Sequence, residues 1–140
     1  MSVMRFVGTV LAAYVAYSVL YVGTMIGIFA ELYTANMDLM RPQDDPMAMY
    51  AYIGHFVQTI AVVLLFNKAV GSDDMKAGAT FGALMGLYLA ATDMTFYFSM
   101  KMSTAPLMTS VVLHIAIGAV IGVLLAKLYG IGRGTENAEA

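Results

Sequence analysis

Three ionisable side chains interrupt long apolar runs: Asp93, the one carboxylate inside such a run, and His55 and His114, the only histidines in the chain. A carboxylate with two imidazoles can ligate a divalent metal, relay a proton, or close on itself as a hydrogen-bonded network. Two histidines on facing helices can also be axial ligands of a haem housed in a helical bundle. Gln58 and Thr59 follow His55 on its own helix face, and Thr24 in the first apolar run is expected near the same level. Asp93, Gln58, Thr59 and Thr24 are therefore expected to form one polar or transport pocket, with His55 and His114 as its cofactor ligands.

Sulfur is the second chemical signal. Several of the 13 methionines form spaced pairs, among them Met37-x-x-Met40, Met47-x-Met49 and Met100-x-Met102. Thioethers are soft ligands that favour Cu(I). Met47, Met49, Met100 and Met102 thus join His55, Asp93 and His114 as candidate metal ligands, with copper, another transition metal or haem as the candidate cofactors. Methionine is equally an adaptable filler of apolar interfaces, and a chain without Cys or Trp uses it freely. The lack of cysteine excludes disulfides, thiolate metal sites and cysteine nucleophiles. No phosphate-cradling loop, His-Glu-x-x-His helix or nucleophile elbow occurs, and Ser18, Ser99, Ser103 and Ser110 have no base close in sequence. No catalytic residue is assigned, and the chain reads as a non-enzyme.

The elements that must position these groups follow from composition. With 61% hydrophobic and only 11% charged residues among 140, the chain lies outside the range of water-soluble domains, where about a quarter of residues are charged. A net charge of -2 without any basic run excludes nucleic-acid binding as a class. Apolar runs over 6–30, 46–67, 77–100 and 104–126 each approach the roughly 20 residues that cross hydrocarbon, and a bilayer requires them to be helices. The first run is long for a signal peptide and lacks a small-x-small cleavage site, so it reads as a permanent helix. The expected fold is all-α: one domain over 1–129, an integral membrane four-helix bundle, followed by a polar, flexible cytoplasmic tail over 130–140.

Arg5, Lys68, Lys76, Lys127 and Arg133 fall on one side of these runs, Arg41 and Lys101 on the other, so both termini are expected in the cytoplasm. Asp93, His55 and His114 each lie about eight residues from the outer end of their helices, about 12 Å below the outer boundary at 1.5 Å per residue. Laid over the fourth run, the second aligns His55 with His114, Lys68 with Lys127 and Gly71 with Gly130, and a proline opens each, Pro46 and Pro106. Two similar helical hairpins are expected from that pattern. Gly23-x-x-x-Gly27, Gly78-x-x-x-Gly82-x-x-x-Gly86 and Gly118-x-x-x-Gly122 each clear a helix face for close backbone approach, within the bundle or in a homodimer.

From Tyr14 onward the chain resembles a family of small four-helix bacterial inner-membrane proteins that form a domain of unknown function. The resemblance is carried by Ser18-Val-Leu-Tyr-Val-Gly23, by Gly82-Ala-Leu-Met-Gly86 through Ala91-Thr-Asp-Met-Thr95, and by Met100-Lys101 and Pro106-Leu107. Members carry an aspartate and a tryptophan where this chain has Ser18 and Tyr21, and an aspartate near His114. The resemblance implies the four-helix fold and the bacterial inner membrane, and no activity. Function is expected to be that of an accessory or binding subunit whose outer-half pocket holds a metal ion or cofactor. A small proton-coupled transporter using Asp93, or a structural subunit of a larger membrane complex, are the alternatives. The lipid bilayer is the expected partner, with a second copy or other subunits beside it.

Overall fold

The computed structural model describes residues 2–35, 37, 42, 44–97 and 104–138. Four long helices, α1 (Val3–Gly27), α3 (Met49–Ala69), α4 (Met75–Tyr97) and α5 (Thr104–Ala138), run up and down the bundle, with a short α2 (Ala30–Thr34) after α1. Three of the starts have a local cause. The Ser2 side chain accepts from the Arg5 amide to open α1, and Asp74 Oδ1 accepts from Lys76 N at 2.8 Å at the start of α4. Asp45 caps a single 3-10 turn, Pro46–Ala48, that leads directly into α3. Gly71 ends α3 with a φ of 52° and donates its amide to Phe66 O, a left-handed cap that favours glycine.

Its aligned counterpart, Gly130, sits inside α5 instead, so the two hairpins end differently. There Gly130 lies against Asp73 of the α3–α4 connection. α5 also continues past the expected exit at Ala126 to Ala138. Sequence apolarity marks where hydrocarbon would end, whereas a helix ends only where its hydrogen-bond ladder is broken, and residues 130–138 keep theirs.

α1, α3 and α5 are long and apolar enough to cross a membrane by length and composition. α4 is not among them, because glycines, threonines and Asp93 dilute its apolar surface. Its small residues serve a neighbour instead. A Cβ at Gly78, Gly82 or Gly86 would run into the backbone carbonyls of Gly122, Gly118 and His114 respectively, so α4 and α5 touch backbone to backbone, antiparallel, along the whole glycine row. Gly23, Gly27 and Gly54 have open space where a Cβ would go, so within one chain the Gly23-x-x-x-Gly27 face is not a packing seam.

α5 is the axis: 44% of its apolar window is buried, against 11% for α1 and 17% for α3. The core joins Val10 and Ala13 of α1, Val63 and Phe66 of α3, and Leu113, Ile117, Ile121 and Leu125 of α5. Most of these lie toward the end that carries the N-terminus. There Arg5 donates to the Tyr129 carbonyl and stacks 5.7 Å over its ring, while Phe66 meets Phe81 edge-on at 5.5 Å. Lys68, Lys76 and Lys127 belong to this same end by topology. α3 and α4 scarcely touch. Val7, Leu11, Val15, Val19, Val22 and Ile26 form an exposed apolar stripe down α1, consistent with a helix that faces lipid.

Gly82→Ala should destabilise the fold by about 1–3 kcal/mol, because the added methyl group must push α4 off α5. Gly54→Ala, with nothing near the new Cβ, should be neutral or slightly stabilising. Unfolding of the two variants in mild detergent measures the difference, and equal stability would remove the seam from the account.

Candidate functional site

The close crossing of Gly86 on His114 sets the register of the site. Two helical turns further along α4, Asp93 comes level with the start of α5, where Ser110 stands one turn before His114 on the same face. Both side chains converge on one carboxylate oxygen. Ser110 Oγ donates to Asp93 Oδ2 at 2.6 Å, and His114 Nε2 donates to the same atom at 2.9 Å. With Nε2 carrying the proton, Nδ1 of the neutral ring accepts, and the Tyr17 hydroxyl of α1 donates to it at 2.5 Å. A single chain of hydrogen bonds thus runs from α1 through α5 to α4.

Tyr14, Tyr17 and Tyr21 recur at spacings of three and four, which places all three rings on one face of α1. Tyr21 stacks on His114 with centroids 5.2 Å apart and on Tyr17 at 5.8 Å. On the other side Tyr17 meets His55 at 4.8 Å, and Tyr14 meets it at 5.1 Å. His55 is therefore held by aromatic contacts, and its buried Nε2 has no hydrogen-bond partner among the described residues.

These groups line a cleft of about 650 Å³. Tyr52 and Gln58 of α3 and Thr92 of α4 complete its wall. Asp93 is 40% exposed there and His114 only 12%, so the carboxylate faces the cleft while the imidazole is shielded. Toward the basic end the cleft narrows to a small extension of about 50 Å³ reaching Thr59, Ile121 and Leu125, beyond which the core is closed.

The sequence expectations divide accordingly. Asp93 and His114 are joined, and His55 and Gln58 reach the same cleft. Thr59 is buried with its hydroxyl on the His55 carbonyl at 2.9 Å, and lines only the extension. Thr24 does not line the cleft: its hydroxyl bonds Leu20 O in its own helix.

The expected metal ligands are not gathered among the described residues. Among the described residues no three His, Asp or Glu side chains converge on an ion. Both His114 nitrogens are occupied, by Asp93 and by Tyr17, and Tyr17 packs on both imidazoles, so His55, Asp93 and His114 do not close on one centre. To ligate a haem iron, His114 would have to give up one of these two hydrogen bonds. Met47 and Met49 are exposed at the start of α3, apart from the cleft, and Met100 and Met102 lie outside the described residues.

Sequence reasoning missed Tyr17 and Ser110 as members of the site. The tyrosine spacing and the Ser110-x-x-x-His114 turn were the available signals. Ser110 donates to the carboxylate and not to the imidazole, so the trio lacks the nucleophile-to-base bond that acyl transfer requires.

Compared with protein-family models, with curated proteins and with solved structures, the chain matches none.

Tyr17→Phe keeps every ring contact and removes one hydroxyl, so it should lower stability by about 1 kcal/mol, the size of an interhelical hydrogen bond in a membrane bundle. His114→Ala should cost several times more, because it leaves Asp93 with Ser110 alone and opens a void beside Tyr21. A double-mutant cycle on the pair reads their coupling; strictly additive costs would show that the Tyr17–His114 bond contributes nothing.

Proposed function

We propose that this chain is a bacterial inner-membrane protein that crosses the bilayer four times with both termini cytoplasmic, and that it binds a small ligand in the outer-half cleft with occupancy linked to a proton on the Asp93–His114 pair. The observation that carries this reading is the Tyr17–His114–Asp93–Ser110 hydrogen-bond chain forming one wall of a 650 Å³ cleft. The seam with α5 supports α4 as the fourth crossing, since a helix of modest apolarity buries its least apolar face there.

The coupling has a definite atomic form. A carboxylate in hydrocarbon costs about 2.5–3.5 kcal/mol, and two donors on Oδ2 offset part of that. A proton arriving at His114 Nδ1 makes the ring an imidazolium paired with Asp93, and the Tyr17 hydroxyl must then turn its hydrogen away, toward the cleft. The groups facing this exchange are Tyr17 and Tyr21 from α1, His55 from α3, Asp93 from α4 and Ser110 from α5. A ligand that accepts the Tyr17 hydrogen favours the protonated pair, and by linkage the protonated pair favours that ligand.

Carriage across the membrane is a second reading, and the thin contact between α3 and α4 favours it, because those helices can part without breaking a packed seam. The closed core around Val63, Phe66 and Leu125 leaves binding as the primary proposal.

Infrared difference spectra of the reconstituted protein, recorded between mildly alkaline and mildly acidic buffer, should show changes in carboxylate and imidazole bands that disappear in Asp93→Asn. A spectrum identical in that variant would sink the coupling. For the topology, the chain has no cysteine of its own, so single cysteines report without background. An impermeant maleimide applied to spheroplasts should label Asp44→Cys and spare Ser2→Cys, and the reverse pattern would invert the assigned orientation.

A further inference from the structure

Asp93 is the group in the cleft most open to something from outside the chain. Ser110 and His114 both donate to its Oδ2, and among the described residues Oδ1 receives no hydrogen bond. The side chain is 40% exposed and lines the cleft. A carboxylate in a weakly polar setting gains more from a positive charge than from neutral donors, and the neutral ring of His114 supplies a donor only.

The walls define the kind of charge that suits the space. Tyr14, Tyr17 and Tyr21 border it from one face of α1, and Tyr52 joins them from α3. Tyr52 is 62% exposed and makes no ring contact among the described residues. An aromatic ring is negative on its face and attracts a cation lying within about 6 Å of its centre. A compact metal ion instead needs several ligands at once, and among the described residues no such group converges. A diffuse cation, with its charge spread over methyl or methylene groups, needs one counter-charge and aromatic surface. About 650 Å³ of cleft falls in the range of small-molecule sites, so an organic ion of modest size fits.

We propose that the cleft binds an organic cation, a protonated amine or a quaternary ammonium, with its charge on Asp93 Oδ1 and its carbon substituents against the tyrosine rings. This rests on the reading of the cleft as a proton-linked ligand site given above, and supplies the class of ligand. It also fixes the sign of the linkage. A ligand that accepts the Tyr17 hydrogen binds together with the proton, whereas a cation competes with it, because an imidazolium at His114 already gives Asp93 a positive partner. Among the described residues, the titratable groups that meet in this exchange are the four tyrosines, His55, Asp93 and His114.

Calorimetric titration of the purified protein in non-ionic detergent tests the assignment. The probes are benzyltrimethylammonium, choline, and the neutral alcohol in which carbon replaces choline's nitrogen. Both cations should bind saturably, and the alcohol about tenfold or more weakly than choline. Asp93→Asn should weaken benzyltrimethylammonium about tenfold or more. Tyr52 is exposed, so its substitution should leave the fold intact. Tyr52→Leu should weaken the cation about fivefold, and Tyr52→Phe, which keeps the ring, should restore it. Binding should be tighter in mildly alkaline than in mildly acidic buffer. An alcohol that binds as well as choline, or a cation indifferent to both Asp93→Asn and Tyr52→Leu, overturns the cation assignment. Equal affinity in the two buffers overturns the competition with the proton. If no cation binds while the infrared changes of Asp93 persist, the cleft keeps its proton-linked role and the ligand class is wrong. If both are missing, the ligand-site reading itself falls.

Discussion

Backbone contact between α4 and α5 is the constraint on which the rest of the structure depends. Gly78, Gly82 and Gly86 meet Gly122, Gly118 and His114 with no room for a side chain, and this fixes the two helices in both separation and register. Attraction between helices in lipid comes largely from such packing, because no hydrophobic force distinguishes a neighbour from an acyl chain. The register then decides the chemistry. A slip of one turn would carry Asp93 away from Ser110 and His114 and leave a carboxylate unpaired in an apolar setting, a cost that reinforces the seam that prevents it.

The rest of the bundle is arranged around that pair with decreasing tightness. α1 is pinned at the basic end by Arg5 on Tyr129 and along its middle by Tyr17 on His114, while α3 joins through Val63, Phe66 and the aromatic contacts of His55. Dense packing at the basic end and the thin contact between α3 and α4 leave room for the cleft. The polar groups lie where the packing stops, so the same feature that weakens the bundle there gives the site access.

Much of this was legible in the sequence, for identifiable reasons. Four long helices emerge directly from the apolar runs, although only three of them are apolar enough to cross a membrane among the described residues. Asp93 and His114 were conspicuous as ionisable groups among apolar neighbours. Partner choice was not legible: three glycine motifs looked alike, yet only those of α4 and α5 face each other, while Gly23 and Gly27 meet nothing within the chain. The equivalence suggested by aligning His55 with His114 also misled. One imidazole became the centre of a hydrogen-bond chain and the other a ring among rings, because Asp93 and Ser110 have no counterparts beside α3. Tyr17 was hidden by its commonness, since tyrosines at helix faces are ordinary in membrane proteins and only the third dimension shows that this one touches both histidines.

α4 combines the weakest apolar character of the long helices with the most intimate neighbour, and this bears on how such a chain is made. In a bilayer, a segment with glycines and a carboxylate partitions less readily by itself than one rich in leucine and valine. Paired with α5, its least apolar face is covered and Asp93 has its donors. On the proposed four-span reading, biogenesis is tied to synthesis of the C-terminal helix: α4 would enter the membrane as half of a hairpin with α5, and integration of the second half of the chain would be one cooperative event.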